Sequence, residues 1–88
     1  EAVEETGWRP GPLARLGSYA PNNGTTDMVF HLFTATSATY VGEPIDPSES
    51  ERVEWRTLAE VRDAITKGEV YDGLSLTALL WVLAFGLA

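Results

Sequence analysis

The spacing of apolar and polar positions changes along this chain, and each spacing names an element. Met28 to Ala35 is dense in aromatic and β-branched residues and predicts the clearest strand, with Asp27 at its start. A weaker strand is predicted over 13–20, where Leu13 and Leu16 carry a loose pattern. Residues 52–56 predict a third, with Val53 and Trp55 on one side and Glu54 on the other. Turn residues mark Arg9-Pro10-Gly11-Pro12 and positions 21–26 as connections. Positions 42–50 read as a long polar loop with two prolines and several acids.

Helical spacing takes over toward the C-terminus. Thr57-Leu58-Ala59-Glu60 is a capping box, so a helix is predicted over 58–67, stopping at Gly68. Asp72 is a candidate N-cap for a second helix that runs to the end. In it Leu76, Leu79, Leu80, Leu83, Ala84 and Leu87 form one apolar stripe, and Trp81, Val82 and Phe85 form another. A helix apolar on both sides is expected to be covered on both sides. The first stripe is assigned to the chain's own core, and the second predicts the contact of a homodimer. Trp55 and Trp81 are read as core or interface. The apolar run from Leu76 is shorter than the ~20 residues needed to cross a bilayer. It has no flanking Lys or Arg to anchor it at a membrane surface, so no membrane partner is expected.

Charge and composition narrow the classes further. At 88 residues the chain is one domain at most. Thirteen acids against six bases give a net charge of −7, with no basic cluster, so nucleic acid is not an expected partner. The absence of cysteine excludes a disulfide framework and fits a reducing, cytoplasmic location. The chain starts without Met, inside an expected helix, and reads as the C-terminal part of a single longer domain whose N-terminal part is missing.

The candidate chemistry lies in the opening residues, Glu1-Ala2-Val3-Glu4-Glu5-Thr6-Gly7-Trp8. On a helix Glu1, Glu4 and Glu5 share a face, and like charges so placed repel by a few tenths of a kcal/mol per pair. Gly7 is a natural helix stop, and the helix dipole disfavours anions at that end. Two electrostatic costs at one spot point to a compensating cation. Mg²⁺ suits hard oxygen ligands, held by one or two carboxylates with water and substrate phosphate. The competing reading is a solvated acidic helix end.

The same stretch resembles the end of the Nudix box, G-x5-E-x7-R-E-U-x-E-E-x-G-U, where U is a bulky apolar residue. Glu1 matches the glutamate of R-E, Glu4 and Glu5 the E-E pair, Gly7 the glycine and Trp8 the last U. Ala2 stands at the first U and is smaller than usual. Downstream, Gly-Ser-Tyr at 17–19, Asn23-Gly24 with Asp27, His31-Leu32-Phe33, Gly42-Glu43-Pro44, Glu54-Trp55, Leu58-Ala59-Glu60-Val61 and Gly68-Glu69-Val70 with Asp72 follow in order. That order is similar to the one in Nudix hydrolases of the ADP-ribose pyrophosphatase type.

The resemblance implies the C-terminal portion of a Nudix α/β/α sandwich with a mixed β-sheet. It implies Mg²⁺- or Mn²⁺-dependent hydrolysis of the pyrophosphate in a nucleoside diphosphate linked to another group, of ADP-ribose or nucleotide-sugar type. Glu1, Glu4 and Glu5 become the metal ligands. A glutamate from the long loop before the last strand often serves as base, which makes Glu49 and Glu51 the candidates. Asn23, Gly24 and Asp27 are the substrate-binding candidates, standing where related enzymes carry Pro-Gly and a glutamate. Asp27 could instead be a simple strand-start acid. Trp8 and Tyr19 could stack on a base, although Trp8 is also placed to pack beneath the helix end. The lone His31 is read as a packed or edge residue. The 88 residues alone are expected to be inactive. Two rivals remain: a non-catalytic Nudix-like nucleotide sensor, and a small acidic interaction module.

Overall fold

The computed structural model describes residues 2–43 and 53–86. In chain order these form α1 (Ala2–Thr6), β1 (Trp8–Pro10), β2 (Ala14–Tyr19), β3 (Phe30–Thr34), β4 (Ala38–Tyr40), α2 (Leu58–Thr66) and α3 (Gly73–Phe85). Helices combined with strands bear out the α/β class. The described strands make two separate antiparallel ribbons, β1 with β4 and β2 with β3, so a mixed sheet is not formed among them.

Three local readings need correction. The Arg9-Pro10 segment, expected as a loop, pairs with Ala38 and Thr39 in β1 and β4. A proline is tolerated there because the ribbon is only two strands wide, so its missing N–H can face outward. The expected strand at 52–56 has no strand partner over its described residues, 53–56. The strand expected from Met28 begins only at Phe30.

Helix boundaries follow the capping chemistry closely. Thr57 Oγ1 accepts from the Glu60 N–H at 3.1 Å while Glu60 Oε1 accepts from the Thr57 N–H at 2.9 Å. Asp72 accepts from the Ser75 N–H at 2.9 Å and starts α3. Gly68 takes φ +74° just beyond α2, the left-handed geometry that ends a helix cleanly.

The β2–β3 ribbon contains a bulge between Arg15 and Gly17. Arg15 opposes Phe33, but Gly17 opposes Leu32 and Ser18 opposes His31. One extra residue therefore moves Arg15 onto the same face as Ser18, which strict alternation would place opposite. Leu32 marks the inner face and is buried, 5% exposed. Trp81 of α3 reaches that inner face at Gly17. Part of the Trp81 ring is thereby used within the chain, which is the core half of its core-or-interface reading. Leu80, Leu83 and Ala84 instead line a groove with Arg62, Ile65 and Thr66 of α2. No described helix is long and apolar enough to cross a membrane.

Candidate functional site

The short helix α1 is held at its C-terminal end by several bonds. The Gly7 N–H donates to Val3 O at 2.8 Å, and Thr6 Oγ1 donates to Ala2 O at 2.6 Å. The Trp8 N–H then donates to Thr6 Oγ1 at 3.1 Å, turning the chain directly into β1. Gly7 itself is buried with φ +78°, a geometry open to glycine and strained for any side chain. Its carbonyl accepts from the Val41 N–H at 2.9 Å, which ties the helix end to the chain just past β4.

Glu4 and Glu5 thus stand on a turn with fixed exit geometry. Glu4 is exposed and Glu5 is half-buried. Glu1, the third expected ligand, lies outside the described residues, as do Glu49 and Glu51. Among the described residues no group of three or more carboxylate, imidazole or thiol side chains converges to hold a metal. By donor chemistry, two adjacent carboxylates still suit a hard cation that takes its other ligands from water and substrate oxygens.

Beside α1 lies an aromatic cluster. Trp8 pairs across the ribbon with Tyr40, their ring centroids 5.3 Å apart. Trp55 packs edge-on against Trp8 at 5.1 Å, yet 70% of it is exposed, so its reading as a core residue is corrected. Tyr40 Oη donates to Glu43 Oε1 at 3.2 Å. Its phenol is held above the ordinary range by partial desolvation first, and then by that carboxylate. Tyr19 packs on Phe30 at 5.6 Å on the other ribbon.

Asn23, Gly24 and Asp27 come together in one loop. Thr25 and Thr26 N–H groups donate to Asn22 O at 3.2 and 3.0 Å, which folds the loop into a turn. The three residues line an open hollow with Ala20, Thr25, Thr26, Met28 and Val29. Asp27 precedes β3 by three residues, so it is a loop acid and not the first residue of the strand.

The chain is 34% identical over 86 residues to a CMP-5′-(N-acetyl-N-hydroxy-3-aminopropyl)phosphonate hydrolase of Streptomyces rubellomurinus. It is similar to a hydrolase. The match covers 98% of this chain and 42% of that protein, so the chain spans less than half of its relative's length. No protein-family model matches the chain.

A further polar group is visible only in the fold. His31 Nδ1 lies 2.6 Å from Ser18 Oγ and 3.2 Å from an Arg15 guanidinium nitrogen, and Arg15 also donates to Ser18. Sequence reasoning took His31 as a packed or edge residue. The signal that could have found the group is a basic and a hydroxyl residue on a strand facing the strand of the chain's single histidine.

Proposed function

We propose that the intact protein is a metal-dependent Nudix-type hydrolase. It would hydrolyse the P–O–P linkage that joins a nucleotide to a second group, water adding to one phosphorus as its bond to the bridging oxygen breaks. The carrying observation is that α1 carries Glu4 and Glu5 in succession at the turn that stops at the buried, left-handed Gly7. Similarity to a phosphonate-nucleotide hydrolase over 98% of the chain supports the same reading. The 88 residues would form the C-terminal part of a larger domain. Support comes from large apolar side chains left open, among them Leu13, Trp55, Tyr71 and Phe85, together with the 42% coverage of the relative.

Glu4 and Glu5, with Glu1, would hold Mg²⁺ or Mn²⁺. The bound cation would neutralise phosphoryl charge and acidify a water. An acidic chain can therefore act on an acidic substrate. Glu49 or Glu51 would take the proton from the attacking water. The Asn23–Asp27 loop would face the nucleotide's second group. The substrate class widens beyond the ADP-ribose or nucleotide-sugar type, because the relative's name specifies a cytidine nucleotide joined to a phosphonate.

The test is turnover of the intact protein on a CMP-linked phosphonate, ADP-ribose and a nucleotide sugar, with Mg²⁺ titrated. Turnover on at least one, with most of it abolished by Glu4→Gln and by Glu5→Gln in folded protein, is the expected result. Wild-type rates in both variants at saturating metal would refute the metal assignment. Nucleotide binding without metal-dependent turnover would favour the non-catalytic sensor.

A further inference from the structure

The outer face of the β2–β3 ribbon carries four side chains together: Arg15, Ser18, His31 and Phe33. Their convergence depends on the bulge, which brings Arg15 round to the face of Ser18. The direction of the hydrogen bonds can be assigned from the groups themselves. A guanidinium only donates, so Arg15 donates to Ser18 Oγ and to His31 Nδ1. Ser18 then directs its own hydroxyl hydrogen to the same Nδ1, at 2.6 Å. With the ring proton assigned to Nε2, His31 Nδ1 is the shared acceptor. Two donors from one strand are held aimed at a single point by one ring nitrogen.

Among the described cations, Arg15, like Arg9 and Arg62, stands outside the ion pairs, which are made by Arg56 and Lys67. Arg56 is paired with Glu54 and Glu60, and Lys67 with Asp63. The partners of Arg15 among the described residues are Ser18 and His31, neither of them a carboxylate. On a chain of net charge −7, a guanidinium that no carboxylate pairs keeps its charge available for an anion. Beside it Phe33, directly opposite Arg15 in the ladder, is 55% exposed. The phenyl ring gives the polar group an apolar neighbour.

We propose that Arg15, Ser18 and His31 form an oxyanion subsite, with Phe33 as its apolar wall. Its ligand is a phosphorus-centred anion carried on an organic group, a phosphate ester or a phosphonate. The anion replaces Nδ1 as acceptor. The guanidinium offers it two parallel N–H groups, and the Ser18 hydroxyl rotates to give a third donor. Choosing phosphorus over a carboxylate rests on the hydrolase reading above. The donor geometry does not depend on it.

The experiment is metal-free NMR titration of the intact protein with phenylphosphonate, which cannot be hydrolysed at a P–O–P bond. The imidazole signals of His31 are assigned by their loss in His31→Gln. Parallel titrations use inorganic phosphate and benzoate. The expected result is a saturable shift of the His31 signals with phenylphosphonate, at least tenfold weaker in Arg15→Gln and weaker in Arg15→Lys, which keeps charge without the fork. Arg15 is exposed, so unchanged Leu32 methyl signals verify that the variants are folded.

An unsaturable shift, or an affinity untouched by Arg15→Gln, overturns the subsite. Equal affinity for inorganic phosphate overturns the role of Phe33, and equal affinity for benzoate overturns the choice of phosphorus. The two proposals fail separately, because this binding is read without metal or turnover. Turnover that persists with no shift sinks the subsite alone, and a shift without turnover in the preceding assay sinks the hydrolase alone.

Discussion

The six-membered ring of Trp81 occupies the space that a side chain on Gly17 would need. A Cβ built on Gly17 would stand 2.3 Å from Trp81 Cζ2 and 2.4 Å from Cη2. This is the point where α3 meets the β2–β3 ribbon. An indole is too rigid to retract by a small torsion, so the strand or the helix would have to shift. Gly17→Ala is expected to destabilise the protein by about 1–3 kcal/mol through overpacking. Chemical denaturation of wild type and variant measures it, and unchanged stability would mean that Trp81 is not seated there.

The start of α2 should respond to acid. Glu60 is held below its ordinary carboxylate range first by the Thr57 N–H it accepts, then by the Thr57 side chain and by Arg56. Asp72 is lowered likewise, first by the Ser75 N–H. A carboxyl with a depressed folded-state pKa stabilises the fold above its unfolded value. That contribution is lost as pH falls through the lower, folded value. Stability should therefore decline from the ordinary carboxylate range downward, and Glu60→Gln should flatten part of that slope. Thermal melts across acidic pH check it. At neutral pH, Thr57→Ala should cost about 1 kcal/mol as a lost N-cap.

If Glu49 or Glu51 takes the proton from water, its loss should slow turnover without weakening the metal. General-base catalysis typically contributes ~10²-fold or more. Kinetics of Glu49→Gln, Glu51→Gln and the double variant across a Mg²⁺ titration separate rate from metal affinity. A slowing of less than about threefold in all three would place the base elsewhere.

The intact protein is expected to be a homodimer, with Phe85 rather than Trp81 at the contact. Phe85 is 74% exposed and packs on Trp81 at 6.0 Å. Full burial of such a side chain contributes roughly 1.5–3 kcal/mol. Phe85→Glu should shift the mass in solution from dimer to monomer while the fold persists. Trp81→Glu should unfold the protein, because that ring is used against Gly17. A monomeric wild type would end the dimer proposal.

Local chemistry was legible in the residues themselves. The Thr57–Glu60 box, the Asp72 cap and the stops at Gly7 and Gly68 act over three or four positions, so their partners are fixed by spacing alone. The helix ahead of Gly7 and the strands around Leu16 and Leu32 were readable for the same reason. Pairing across distance was not. Pro10 and Gly11 look like breakers until Ala38 and Ser37 arrive as partners, and Trp55 looks like a strand residue although no strand pairs with it among the described residues. The most consequential case is Arg15. Alternation along β2 puts it opposite to Ser18, and only a bulge set by pairing with β3 turns both toward His31. A strand's own sequence carries its period, but which residue is left over is decided by the neighbour whose register it must match.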